Sequence, residues 1–136
     1  MEGLVHHRGA CHCGQNRFEC FTPSAELTVT RCNCSICHMR GAPFVQVPVD
    51  RFKQLTPQSN LLIYTFNTHT AQHYFCKTCG ITPFYRPRSH PDGYSINLHC
   101  LDPSTIQSTR LMHFDGQHWE GSVEAFKAST LDDQRV

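Results

Sequence analysis

The stretch Leu61-Leu62-Ile63-Tyr64-Thr65-Phe66-Asn67-Thr68-His69-Thr70-Ala71-Gln72-His73-Tyr74-Phe75-Cys76-Lys77-Thr78-Cys79-Gly80 reads as a β-hairpin that ends in a metal knuckle. Leu61 to Phe66 and Gln72 to Phe75 are rich in apolar and aromatic strand formers, and Asn67-Thr68 supplies the turn. The second arm runs straight into a Cys-x-x-Cys turn closed by glycine, which relieves the backbone. A strand that carries two thiolates to one point predicts a mainly β domain, small and twisted, with little helix and with zinc-binding knuckles in its loops.

Two more cysteine groups flank this one: Cys11-His12-Cys13-Gly14 and Cys32-Asn33-Cys34-Ser35-Ile36-Cys37. A tetrahedral zinc with bonds of roughly 2.3 Å places its sulfurs about 3.8 Å apart, and turns this short can supply that separation. Seven of the nine cysteines fall into the three groups. Four sulfurs close one site; three remain, and a zinc with three protein ligands keeps an open position where chemistry can occur. Disulfides fit poorly, because nine is odd and Met1 to His7 contain no apolar leader. A redox Cys-x-x-Cys at Cys76 and Cys79 would want a βαβ setting that is missing. Zinc in a reducing compartment, cytoplasmic or nuclear, is the expectation.

At 136 residues the chain is expected to form one domain, with its core over about residues 4 to 120 and a polar tail after Ser122. Net charge is +1 and the basic residues are scattered singly, so no direct nucleic-acid binding is expected. No apolar run approaches a membrane span, and nothing in the pattern specifies an oligomer. Further strands are expected at Arg17 to Phe21, Leu27 to Thr30, Pro43 to Val47, Ile81 to Tyr85 and Tyr94 to Leu98. Short helical turns are expected at Asp50 to Leu55 and at Pro103 to Gln107, the latter capped by Asp102.

Gly9 to Gly14, Arg31 to Cys37, His73 to Gly80 and Asn97 to Asp102 together resemble the glutathione-dependent formaldehyde-activating enzyme family. Within it, Tyr64 to His73 looks similar to the centromere protein V branch. The resemblance implies an Mss4-like β fold and two zinc ions per chain. It places Cys11, Cys13, Cys76 and Cys79 in a closed structural site, and Cys32, Cys34 and Cys37 around a catalytic zinc with an exchangeable ligand. The chain lacks the long basic N-terminal extension associated with that branch, so a chromatin or microtubule role resting on such an extension is not expected.

An all-sulfur site is a weak Lewis acid for water and suits the binding and release of a soft thiolate. The chemistry expected is therefore a carbon–sulfur lyase acting on an S-hydroxyalkyl adduct of glutathione or another small thiol. The alternative is a non-enzymatic zinc module that binds a chromatin or cytoskeletal protein. A third reading, methionine sulfoxide reduction, needs a reactive cysteine outside the metal set, and only Cys20 and Cys100 are available. His73 leads as acid–base residue, with His69, His99 and Tyr64 as rivals; its bland role is to support a ligand. Arg31 and Arg40 flank the second group, where they would offset its charge, hold a substrate carboxylate, or sit solvated. His6 and His7 are expected at the surface, His12 and His38 beside the cysteine groups, and Cys20 in the core. If Cys100 reached the second group, that site would close.

Overall fold

The computed structural model describes residues 3–89 and 92–118, so the polar tail lies outside the described residues. Alternating side chains build ten strands among them: β1 (Val5–Ala10), β2 (Arg17–Thr22), β3 (Glu26–Cys32), β4 (Phe44–Pro48), β5 (Phe52–Gln54), β6 (Leu61–Tyr64), β7 (Gln72–Cys76), β8 (Phe84–Arg86), β9 (Gly93–Asn97) and β10 (Ser108–Phe114). One α-helix, α1 (Ser35–Arg40), follows β3. The strands form a three-stranded sheet, β1-β2-β5, and a seven-stranded sheet, β10-β3-β4-β9-β8-β7-β6. All pairings are antiparallel except β10 with β3. The mainly β expectation holds.

The core includes Phe18 and Cys20 of β2, Val29 of β3, Val45 of β4, Phe84 of β8 and Ile96 of β9. Phe18 lies so close to Gly9 that a Cβ there would meet the ring at 2.3 Å, so β1 must carry glycine at this point. Strand period assigns the faces of the large sheet. Val45, Ile96 and Phe84 are register partners and look into the core. Their neighbours Gln46, Ser95 and Tyr85 look the other way, and this second face carries the candidate site.

The hairpin predicted at Leu61 to Phe75 forms with Tyr64 opposite His73, but its strand ends at Tyr64. A longer loop replaces the two-residue turn, with Asn67 and His69 both at φ 57°. The helical turn expected over Asp50 to Leu55 is a correction: a 3-10 turn spans Val49–Arg51, and Phe52–Gln54 is strand β5 paired with β2. Phe52 stacks on Tyr94 at 4.0 Å and meets Phe84 at 4.7 Å, and this aromatic burial outweighs local preference. The turn at Pro103–Thr105 does form, with the Asp102 side chain accepting from the Ser104 amide. His7, expected at the surface, is fully buried: Nε2 meets Thr22 Oγ1 at 2.8 Å and Nδ1 meets Thr105 Oγ1 at 2.7 Å. Thr22 gives its own proton to the Ser24 carbonyl, so it accepts from His7 Nε2–H, and the Nδ1 lone pair faces Thr105.

Candidate metal centres and the cavity beside them

Two clusters of sulfur form, with the membership the family resemblance implied. Cys11, Cys13, Cys76 and Cys79 lie with all four sulfurs within 4.8 Å of one another, and Cys32, Cys34 and Cys37 form the second group. In the first, Cys13 Sγ is 3.6 Å from both Cys11 Sγ and Cys76 Sγ, close to the edge of a zinc tetrahedron. Each knuckle closes through glycine in the left-handed region: Gly14 (φ 81°) donates to the Cys11 carbonyl, and Gly80 (φ 78°) to that of Cys76. Amides of Asn16, Thr78 and Cys79 point at the sulfurs of Cys11 and Cys76 and favour thiolates there. This cluster joins the β1–β2 turn of the small sheet to the end of β7 in the large one.

The second cluster spans the end of β3 and the start of α1, which stops at Gly41 (φ 70°). Among the described residues no fourth Cys, His, Asp or Glu joins it. Cys100 feels the charges of Cys11 and Cys79, so it belongs to the neighbourhood of the first cluster. Hydrogen bonds from Cys32 and Cys34, then the charge of Arg40, hold the Cys37 thiol far below its ordinary range, and the same sharing drives Cys32 up. Arg40 Nη2 donates to Cys37 Sγ at 3.3 Å, while its guanidinium lies 4.5 Å from the Tyr85 ring centre and 5.1 Å from that of Phe44. Arg31 instead donates to the Gly41 carbonyl at 2.7 Å in an exposed setting. The donor sets fit zinc: four thiolates close one site, and three leave another open.

A cavity of about 430 Å³ opens beside the three sulfurs. Its walls include Thr30, Gln46, Phe66, His73, Tyr85, Ser95 and Gly116. Gly116 passes so close that a Cβ would stand 2.6 Å from Cys32 Sγ. The segment carrying it is clasped to Asn33, which bonds Asp115 and receives the Gln117 amide. His73 is buried, with its ring stacked between Tyr85 at 5.0 Å and Phe66 at 5.6 Å. Its Nδ1 finds no hydrogen-bond partner among the described residues, nor does Thr30 Oγ1 on the same cavity. Burial, then the charge of Arg40, lowers the imidazole to about 4, so it is neutral at pH 7. Tyr85 is a phenol throughout: burial, then the nearby Cys37, holds its pKa well above the usual value.

The other candidates lie elsewhere. Tyr64 is half-exposed and touches the site only through its stack on Phe66 at 5.6 Å. His69 is exposed and bonds Thr65 Oγ1 at 2.9 Å. His12, His38 and His99 are also exposed. Cys20 is fully buried in the core as expected, and burial raises both Cys20 and Cys100 to about 12. Neither has the activated thiol that methionine sulfoxide reduction needs. Sequence reasoning missed Tyr85, Ser95 and Gln46. The available signal was a polar residue at alternate positions of otherwise apolar strands.

A family model described as glutathione-dependent formaldehyde-activating enzyme matches residues 6–120. Among solved structures, the chain is similar to a crystal structure of a Rhodobacter sphaeroides protein, a Northeast Structural Genomics target. The two are 32% identical with a TM-score of 0.67, over 77% of this chain and 99% of that one.

Proposed function

Because the chain belongs to the glutathione-dependent formaldehyde-activating enzyme family, we propose that it is a zinc-dependent carbon–sulfur lyase. It makes or breaks the C–S bond of an S-hydroxyalkyl adduct of glutathione or a similar small thiol. The observation that carries this reading is the three-sulfur cluster facing a cavity while Cys100 lies by the other cluster. Zinc held by Cys32, Cys34 and Cys37 would keep a substrate sulfur as its thiolate, and Cys11, Cys13, Cys76 and Cys79 would hold a second, structural zinc.

Arg40 offsets the negative charge that gathers on the sulfurs. His73 is the acid–base group, since it lines the cavity and its buried Nδ1 has no hydrogen-bond partner among the described residues. In the cleaving direction the neutral imidazole takes the adduct's hydroxyl proton, the O–H pair forms the C=O bond, and the C–S pair leaves with sulfur. The products are a thiolate, an aldehyde and a protonated His73. Formation runs in reverse and returns that proton to oxygen. Tyr64 and His69 serve by shaping the β6–β7 loop that walls the cavity. A reducing compartment, cytoplasmic or nuclear, keeps the thiolates available.

The test titrates glutathione and S-methylglutathione against zinc-loaded protein. Glutathione should bind far more tightly, with affinity rising through neutral pH until the free thiol ionises near about 8.5. Equal, pH-independent affinities would remove sulfur from the metal and with it this mechanism. His73→Phe, which keeps the ring stack, should lower turnover by about 10²-fold or more while glutathione still binds; unchanged turnover would exclude His73.

A second reading, a zinc module that binds a chromatin or cytoskeletal protein, draws on one observation. Leu62, Ile63 and Tyr64 are about half exposed on β6, an edge strand of the large sheet. It predicts no thiol binding at all.

A further inference from the structure

Asn33 stands between two cysteines of the three-cysteine cluster, and the chain changes element across it. Strand β3 ends at Cys32, and Cys34 is the residue that caps α1. Like-facing residues two apart in a strand stand about 6.6 Å from one another. The sulfurs of Cys32, Cys34 and Cys37 all lie within 4.8 Å of each other. They come from one short run of chain, whereas the four-cysteine cluster draws on both the β1–β2 turn and the end of β7. The run has to keep that spacing, and Asn33 is where it could open.

One segment engages all four polar atoms of Asn33. Its backbone N–H donates to the Phe114 carbonyl at 3.2 Å, and its Nδ2 donates to Asp115 Oδ1 at 3.1 Å. Its Oδ1 accepts from the Gln117 amide at 3.1 Å, and its carbonyl accepts from Gln117 Nε2 at 3.2 Å. The segment is braced from within: the His118 amide donates to the Asp115 carbonyl, and His118 Nδ1 lies 2.9 Å from Asp115 Oδ2. Asn33, Asp115 and Gln117 are exposed, where water replaces a lost hydrogen bond at little cost to the fold. Four bonds gathered on one such residue therefore serve local geometry. Gly116 completes the clasp. It lines the cavity and passes so near the cluster that a Cβ would stand 2.6 Å from Cys32 Sγ and 2.8 Å from the Cys34 Cβ.

We infer that Asn33 is a positioning residue for the three-cysteine site, and that the clasp of residues 114–117 around it preforms that site for zinc. The inference rests on the lyase reading, which puts an exchangeable zinc there. A site with three protein ligands has one bond fewer to keep its metal than a closed one, and it must keep it while a substrate thiol comes and goes. Holding the sulfurs together beforehand lowers the ordering cost of binding. Gly116 covers Cys32 and Cys34 without a side chain that could supply a fourth ligand, so the site is sheltered and its last position stays free.

The experiment is a chelator competition on zinc-loaded protein that reads the affinity of each of its two zincs, with a thermal melt beside it. Asn33→Ala should weaken the more labile zinc by about tenfold or more, as loss of groups that orient metal ligands does. The other zinc and the melting temperature should not change. In a Cys34→Ser background, which keeps only the four-cysteine site, adding Asn33→Ala should have no effect on zinc. Asp115→Asn retains an acceptor oxygen and should hold zinc like wild type, while Asp115→Ala should not. Gly116→Ala should weaken the same zinc by pressing on Cys32, and it carries the test on the same terms if Asn33→Ala does not fold. Unchanged affinity in Asn33→Ala, or equal weakening of both zincs, overturns the inference and leaves the lyase reading standing. Wild type that holds a single zinc removes the lyase reading itself.

Discussion

Arg40 should set the affinity of the open site for a thiol. Three thiolates on a divalent zinc carry a net charge of about −1, and a substrate thiolate would bring it to about −2. Arg40 Nη2 lies 3.3 Å from Cys37 Sγ, and a fourth sulfur would stand about 3.8 Å further on if it completed a tetrahedron. At a separation of about 7 Å and an effective dielectric of about 20, one guanidinium favours one thiolate by about 2.4 kcal/mol, or roughly 50-fold in affinity. Arg40 is partly exposed, so solvent screening reduces this to somewhere between about 10- and 50-fold. The perturbation is Arg40→Gln, and the assay is calorimetric titration of glutathione into zinc-loaded protein, with zinc content measured beside it. Arg40→Lys keeps the charge but loses the planar stack on Tyr85 and Phe44, so it should fall between the two. Wild-type affinity in a fully loaded Arg40→Gln protein would refute the electrostatic role and leave Arg40 as a packing residue.

Purified protein should carry close to two zinc ions per chain by elemental analysis; one or none would break the two-site assignment. Cys76→Ser should lose solubility or a large part of its melting temperature, because its cluster joins the two sheets and structural zinc is coupled to folding. Cys34→Ser should abolish turnover with the fold largely kept, and equal unfolding in both would mark both zincs as structural. His7 makes stability sensitive to acid: burial, then the nearby His6, lowers its folded pKa below the ordinary 6.5. Its contribution is therefore full above about pH 6.5 and is lost as pH falls through the folded value, where the unfolded chain binds the extra proton. Relative to His7→Gln, wild type should be more stable by about 1–2 kcal/mol at pH 7.5 in thermal melts, and the gap should narrow towards pH 5. A constant or widening gap would show that His7 is not held neutral.

The joining of the first cysteine group to the third came from the family resemblance and not from spacing, while the three groups themselves were legible along the chain, because knuckle cysteines are close in sequence. The period of two marked most of the strands for the same reason: it is a local property of the backbone. Residues 49 to 55 misled because their helical turn is real but short, and Phe52 then joins β2 to reach Phe18, Phe84 and Tyr94. Strand β10 and its parallel partner β3 lie far apart in the chain, so no local pattern announced their pairing.

The sequence by itself determined that seven thiolates would gather in three knuckles within a β-rich chain, since short loops and glycine settle that geometry locally. Only the tertiary structure decided on which side Cys100 falls, because β1 and the segment after β9 meet through Gly9 and Leu101. It also decided that His73, though three residues from Cys76 of the four-cysteine cluster, lines the cavity beside the three-cysteine one. Pairing across β7, β8, β9 and β4 puts His73 in line with Tyr85, Ser95 and Gln46 on the face away from the core. Such a row depends on strand register, and register is fixed by contacts between distant segments rather than by any residue's own neighbours.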